Sequence, residues 1–222
     1  MLHSSQIKFF NNKIGFTLEE IIKDYNNPYL KSWIGSVSGK SKGFAGEIFE
    51  WILTGEKGDN KPQPDFNGIE IKTISFDEFG KKAIEKMSLT AVSYSTIEDE
   101  VFETSHVLDK SKIFVVKLTK NKNTLKRKFL GFGFIDLNLY INQVKDEYNY
   151  YRNLVCEGIQ VKPDRMFSGS AKILGENQIL HVRTAGSKKV KNYINKKGIN
   201  YKSIPYNFTL DYKVITRLIK EI

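Results

Sequence analysis

The stretch PDFNGIEIKT, residues 64–73, sets both the local fold and the chemistry of this chain. Asn67-Gly68 is the strongest short-range hairpin signal, because a two-residue type I′ loop needs positive φ at both central positions and these residues tolerate it. With that turn formed, Phe66 closes onto Ile69. Asp65 then falls opposite Glu70, where cross-strand side chains share a face with Cβ atoms about 4.5–5.5 Å apart. Strand alternation returns Lys72 to the face of Glu70 and sends Ile69 and Ile71 the other way, into a core. Pro62 and Pro64 remove backbone donors, so the strand before the turn is expected to be short or at a sheet edge.

Two carboxylates facing each other destabilise a hairpin unless a cation lies between them. A hard divalent ion suits the place, and magnesium takes one or two carboxylates while keeping water and substrate phosphate in its other positions. A charged lysine cannot ligate a metal, but beside one it steadies charge on a phosphate under attack or orients the attacking water. Asp65, Glu70 and Lys72 therefore outline metal-dependent phosphodiester hydrolysis. The competing reading is an edge strand whose charged residues are merely solvated.

The 222 residues suit one domain with a real core, or two lobes around a cleft. Thirty-five Lys and Arg against 25 Asp and Glu leave a net charge of +10, which favours a polyanionic partner. The single cysteine, Cys156, excludes an intrachain disulfide and zinc sites built from several thiolates, and His3, His106 and His181 do not sit at metal-ligand spacing. The opening MLHSSQIKFF lacks the apolar core of a signal peptide, and no apolar run approaches the ~20 residues that span a bilayer. A cytoplasmic protein without a membrane partner is expected.

Outward from the hairpin, TLEEIIKDYN (17–26) predicts a helix capped by Thr17 with Glu20 in a capping box. SVSGKSKG (36–43) invites a phosphate-loop reading, but the glycine spacing is one residue short and no apolar strand precedes it. Residues 43–54 predict a helix with Phe44, Ile48 and Ile52 on one face and Gly55 as its stop. Spacing leaves either Glu47 or Glu50 able to reach the charged face of the hairpin. KIFVVKL (112–118) reads as a central strand, FLGFGFID (129–136) as another, and 138–155 as a helix burying Leu139, Val144, Tyr148 and Tyr151. Two strands around Gly175 are expected over 172–184, followed by lysines alternating with Tyr193 and Tyr201, where a solvated basic helix is the plain alternative to a DNA surface. Arg183 is suited to reading guanine in a major groove. YKVITRLIKEI has the spacing of a closing amphipathic helix.

Three blocks in order, KGFAGEIFE (42–50), KPQPDFNGIEIKT (61–73) and FETSHVLDK (102–110), resemble the MutH mismatch-repair endonuclease and its relatives among the GATC-cutting restriction enzymes, within the PD-(D/E)xK nuclease superfamily. The resemblance implies an α/β (α+β) fold, a mixed β-sheet flanked by helices, with a catalytic lobe near 1–120 and a DNA-recognition lobe near 121–222 around a DNA cleft. It selects Glu50 over Glu47 as the helix glutamate assisting the metal site, makes Asp65 and Glu70 the metal-ligand carboxylates, and makes Lys72 the motif lysine. Lys110 matches a second active-site lysine, and Lys42 lies at the start of the glutamate helix. Arg183 matches a DNA-contacting arginine, and Lys188, Lys189 and Lys191 follow as DNA-binding candidates. After Arg183, Thr184-Ala185-Gly186 departs from the family pattern, and the tyrosine that senses adenine methylation would align with Phe208 or Thr209. The implied activity is Mg²⁺-dependent cleavage of double-stranded DNA at GATC or a related site, with Mn²⁺ able to substitute. The chain would act as a monomer or a transient dimer. The alternatives are a nickase of the unmethylated strand summoned by a MutL-like partner, and a DNA-binding module that has lost catalysis.

Overall fold

A computed structural model of the chain describes residues 4–36, 43–55, 63–94, 96–159, 177–184, 190–203 and 206–222. These residues form helices α1 (Ser4–Asn11), α2 (Leu18–Tyr25), α3 (Pro28–Ser36), α4 (Phe44–Thr54), α5 (His106–Asp109), α6 (Ile141–Cys156) and α7 (Tyr212–Leu218). The strands are β1 (Glu70–Phe76), β2 (Met87–Ala91), β3 (Lys112–Thr119), β4 (Phe129–Asp136), β5 (Leu180–Thr184), β6 (Lys191–Ile194), β7 (Asn200–Ser203), β8 (Tyr206–Leu210) and β9 (Lys220–Glu221). They gather into two compact units: Met1–Glu85, Lys112–Ile135 and Thr216–Ile222 form the first, and Lys86–Ser111 with Asp136–Ile215 the second. Each unit thus draws on separated segments, where the sequence led us to expect two consecutive lobes divided near residue 120.

In the first unit a mixed sheet runs in the order β1-β3-β4-β9, with β1 parallel to β3 and β9 antiparallel to β4. The apolar run of β3 takes an interior place, as its composition predicts. Phe114, Val116 and Leu118 of β3 and Ile71 of β1 meet residues of α2 and α4 in one core. Phe10 of α1 stands at its centre, with ring centroids 5.3 Å from Phe49, 5.6 Å from Phe129 and 5.4 Å from Phe132. Each such buried aromatic contributes about 1.5–3 kcal/mol over an exposed one.

Local signals place the helices. The Thr17 side chain accepts from the Glu20 N–H at 3.3 Å while the Glu20 carboxylate accepts from the Thr17 N–H at 2.7 Å, the expected capping box of α2. Gly55, at φ 82°, ends α4. On the opposite side of β3 from the core, Lys117 is buried and its ammonium bonds the Glu221 carboxylate at 2.5 Å and the Gly80 carbonyl at 3.4 Å. The short edge strand β9 is thereby tied to the sheet by charge as well as by backbone pairing.

The second unit holds an antiparallel sheet of order β2-β8-β5 and a separate two-stranded ribbon of β6 and β7. Glu147 of α6 is buried and accepts the N–H groups of Ile179 at 3.0 Å and Leu180 at 2.6 Å, fixing the start of β5 to the helix. Val144, Tyr148 and Tyr151 are buried as expected, but Leu139 is 59% exposed. The reason is that Leu137–Tyr140 form a 3₁₀ turn, so the helical register begins only at Ile141. The basic stretch forms the ribbon rather than a helix, and the closing helix gives way to β9 after Leu218. Residues 172–176, and with them the strand expected before Gly175, lie outside the described residues, as do 37–42. Among the described residues no helix is long and apolar enough to cross a membrane.

Candidate active site

The turn forms as its residues dictate. Asn67 and Gly68 adopt φ values of 47° and 77°, and Phe66 and Ile69 exchange backbone bonds of 3.0 and 2.8 Å. Pairing then stops. Pro64 cannot donate, and Asp65, rather than continuing a ladder opposite Glu70, turns its carboxylate to accept the Ile71 N–H at 2.7 Å. The expected cross-strand Asp65/Glu70 pair is thus replaced by a side-chain bond to β1, which satisfies a backbone donor on the side of the strand away from β3.

Alternation along β1 does the rest. Ile71 enters the core, while Glu70 and Lys72 share the other face, where the Glu70 carboxylate accepts from the Lys72 ammonium. Glu70 is 1% exposed, so an ordinary solvated edge strand is not what this hairpin provides. A buried carboxylate with a lysine on it is a polar group held in place.

Helix α4 brings the third carboxylate. Its apolar side, Ile48, Phe49 and Ile52, packs into the core shared with Ile71. A Cβ at Gly46 would stand 3.6 Å from Glu50 Oε1 and 3.8 Å from the Thr73 hydroxyl, so these two groups flank the same spot. Burial pushes the Glu50 carboxyl from 4.5 up to about 7. Asp65 adds to that rise, Lys72 opposes it, and Glu70 and Glu47 add smaller amounts. Glu50, not Glu47, is therefore the helix glutamate set among the hairpin charges. Thr73 was not anticipated; a threonine one residue beyond Lys72 carries no signal of its own in a strand.

The donor set is hard oxygen from three separate pieces of chain, and burial first, then the charge of Asp65, favours the protonated form of Glu50. Oxygen donors of this kind suit a hard divalent cation. Among the described residues no three of His, Cys, Asp and Glu already converge at ligand distance.

Apart from Lys42, the remaining candidates belong to the second unit. Lys110 is buried at the C-terminal end of α5, its N–H bonding the His106 carbonyl at 3.2 Å. The block around it is in part structural: Ser105 caps α5 by accepting the Leu108 N–H at 3.3 Å, and Glu103 pairs with Lys145. Arg183 sits in β5 opposite Asn207, with its guanidinium 3.3 Å from the Asp211 carboxylate, which also stands 3.9 Å from Lys86. Phe208 and Thr209 are both buried in β8, Phe208 with its ring 5.4 Å from that of Tyr148. Lys42, Lys188 and Lys189 lie outside the described residues, and of Lys191, the first residue of β6, the backbone alone is described.

Residues 55–138 match the family model for the DNA mismatch repair enzyme MutH. That span contains Asp65, Glu70, Lys72 and Lys110 and leaves out Glu50 and Arg183. Among solved structures it is similar to a complex of the restriction endonuclease MvaI with its cognate DNA substrate, at 13% identity over 91% of this chain and 96% of that one, with a TM-score of 0.37. No curated protein sequence matches.

Proposed function

We propose that this MutH-like chain is a Mg²⁺-dependent endonuclease of the restriction type, hydrolysing phosphodiester bonds of double-stranded DNA at GATC or a closely related site. The observation that supports it most is the meeting of Glu50, Asp65, Glu70 and Lys72 in one unit, with the Glu50 carboxyl pushed up to about 7. A module that only bound DNA would gain nothing from buried carboxylates facing a polyanion.

Glu50, Asp65 and Glu70 would hold the cation, Mg²⁺ or Mn²⁺. When bound it supplies Lewis-acid activation of water and neutralises charge on the phosphate. The chain's own groups do the positioning. The Ile71 N–H fixes Asp65, and the nearly complete burial of Glu70 fixes that carboxylate. Lys72, held beside Glu70, orients or deprotonates the attacking water and steadies the developing negative charge. Glu50 completes the acidic site. We assign Lys110 to the phosphate, and Lys42, Arg183, Lys188, Lys189 and Lys191 to contacts with DNA.

Purified protein with Mg²⁺ should cut GATC-bearing plasmid, and Lys72→Ala should lose cleavage while still binding DNA. Equal cleavage by that variant refutes the mechanism. The description of the matching family as a mismatch-repair enzyme favours a second reading, a nickase of unmethylated strands working with a MutL-like partner. Hemimethylated plasmid separates the two: double-strand breaks without a partner support restriction, and nicks that depend on the partner support repair.

A further inference from the structure

We infer that the β6–β7 ribbon enters the major groove of duplex DNA and reads base edges with Asn192, Ile194, Asn200 and Lys202. The inference rests on the proposal that the substrate is double-stranded DNA, and it names the element that would set the sequence preference.

The argument begins with pairing. In the ribbon Asn192 lies opposite Lys202, Tyr193 opposite Tyr201, and Ile194 opposite Asn200. Residues directly opposite each other share a face and successive residues alternate, so Asn192, Ile194, Asn200 and Lys202 project from one side and Tyr193 from the other. The Tyr193 side is braced. Its ring stacks on Tyr94 with centroids 4.3 Å apart and planes 30° apart. The turn joining the strands is tied down as well: the Asn195 amide donates to the Cys156 carbonyl at 3.0 Å and accepts the Ile199 N–H at 2.8 Å. The Lys196 N–H reaches the Glu98 carboxylate at 3.0 Å, and the Lys196 ammonium pairs with Asp99.

The opposite side is exposed at all four positions, and Ile194 is 71% exposed. A rigidly mounted ribbon with one face bare is a surface made for a partner, and its chemistry selects the partner. Residues 190–203 carry Lys191, Lys196, Lys197 and Lys202 and no Asp or Glu. A two-stranded ribbon is of a size that the major groove, about 12 Å wide, admits. Once there, asparagine pairs bidentately with adenine, lysine with guanine, and an apolar side chain covers a thymine methyl. Asn192, Asn200, Lys202 and Ile194 supply those three chemistries on one face. Phosphate contact alone would call for more lysines there, not two asparagines and an isoleucine.

The test selects sequences from a random duplex library with the full-length protein, in a divalent-free buffer so that binding is read without cleavage. Wild type should enrich one sequence. Asn192→Ala/Asn200→Ala, at exposed positions and with an unchanged melting temperature, should bind random duplex as wild type does, with the same salt dependence. Its preference for the enriched sequence should fall by about ten- to a hundredfold, the discrimination that lost bidentate base contacts carry. Replacing the site's adenines with 7-deazaadenine should weaken wild type and have no further effect on the variant. An unchanged preference in the variant, indifference of wild type to 7-deazaadenine, or no enrichment by wild type each overturns the inference. Cleavage of the selected site in Mg²⁺ is scored separately. Its absence sinks the nuclease proposal while leaving the ribbon result readable, and cleavage with an unaltered preference in the variant does the reverse.

Discussion

Replacing Glu50 by glutamine should make the protein more stable at pH 8 and leave it nearly unchanged at pH 5. The structure sets the sign. Glu50 is a carboxyl whose folded value, about 7, lies above its ordinary 4.5, chiefly through burial and then through Asp65. Between those values the folded state holds a proton that the unfolded state releases, so the wild type loses stability as pH rises from about 4.5 and reaches the full loss above about 7. At 1.36 kcal/mol per pH unit the ceiling is about 3.4 kcal/mol. The carboxyl is only partly buried, so solvent screening brings the expected loss to about 1–2 kcal/mol. Glutamine keeps the shape and removes the charge. Urea unfolding followed by circular dichroism from pH 5 to pH 8, without divalent cations, should show the variant's advantage growing across that range to about 1–2 kcal/mol. A constant difference between the two proteins, or a variant less stable at pH 8, refutes the reasoning, because it would mean that attraction to Lys72 outweighs burial and Asp65. Added Mg²⁺ should raise the melting temperature of wild type and do little for the variant.

Other substitutions test neighbouring parts of the argument. Lys72→Ala should lower the cleavage rate by about a hundredfold or more with duplex affinity retained, as read from plasmid digestion and gel shift. Gly46→Ala should be tolerated and even stabilise α4 by about 0.5–1 kcal/mol in urea unfolding, since its methyl meets Glu50 and Thr73 only at ordinary contact distance. Gly133→Ala should cost about 1–3 kcal/mol in the same assay, because the new Cβ would fall 2.4 Å from Ile219 and force the chain leading into β9 to move. Glu221→Ala should cost up to about 1 kcal/mol at neutral pH by removing the largely exposed carboxylate that partners the buried Lys117 ammonium, and Lys117→Met in that background should restore most of the loss.

What could be read from the chain was what neighbouring residues decide among themselves. Asn67-Gly68, the Thr17 capping box and the Gly55 stop are local devices, and each stands where its residues require. The apolar run of β3 was equally legible, because only a strand covered on both sides has such a composition. The choice between Glu47 and Glu50 was not, since helical spacing places both near the polar side and only the packing of α4 on β1 separates them. The carboxylate bond from Asp65 to the Ile71 N–H was hidden for a related reason: alternation says which face a residue takes, not when a side chain replaces a paired strand. The lysine-rich stretch of the ribbon looked helical or solvated because its pattern is carried by polar residues. The stack of Tyr193 on Tyr94, nearly a hundred residues earlier, is what decides it.

The interleaving of the two units has an evolutionary side. The chain passes from one to the other after Glu85, Ser111, Ile135 and Ile215. A single genetic crossover between two relatives cannot exchange one unit whole; it leaves at least one of the two as a patchwork of both parents. Laboratory chimaeras should therefore be joined at all four passages rather than at one.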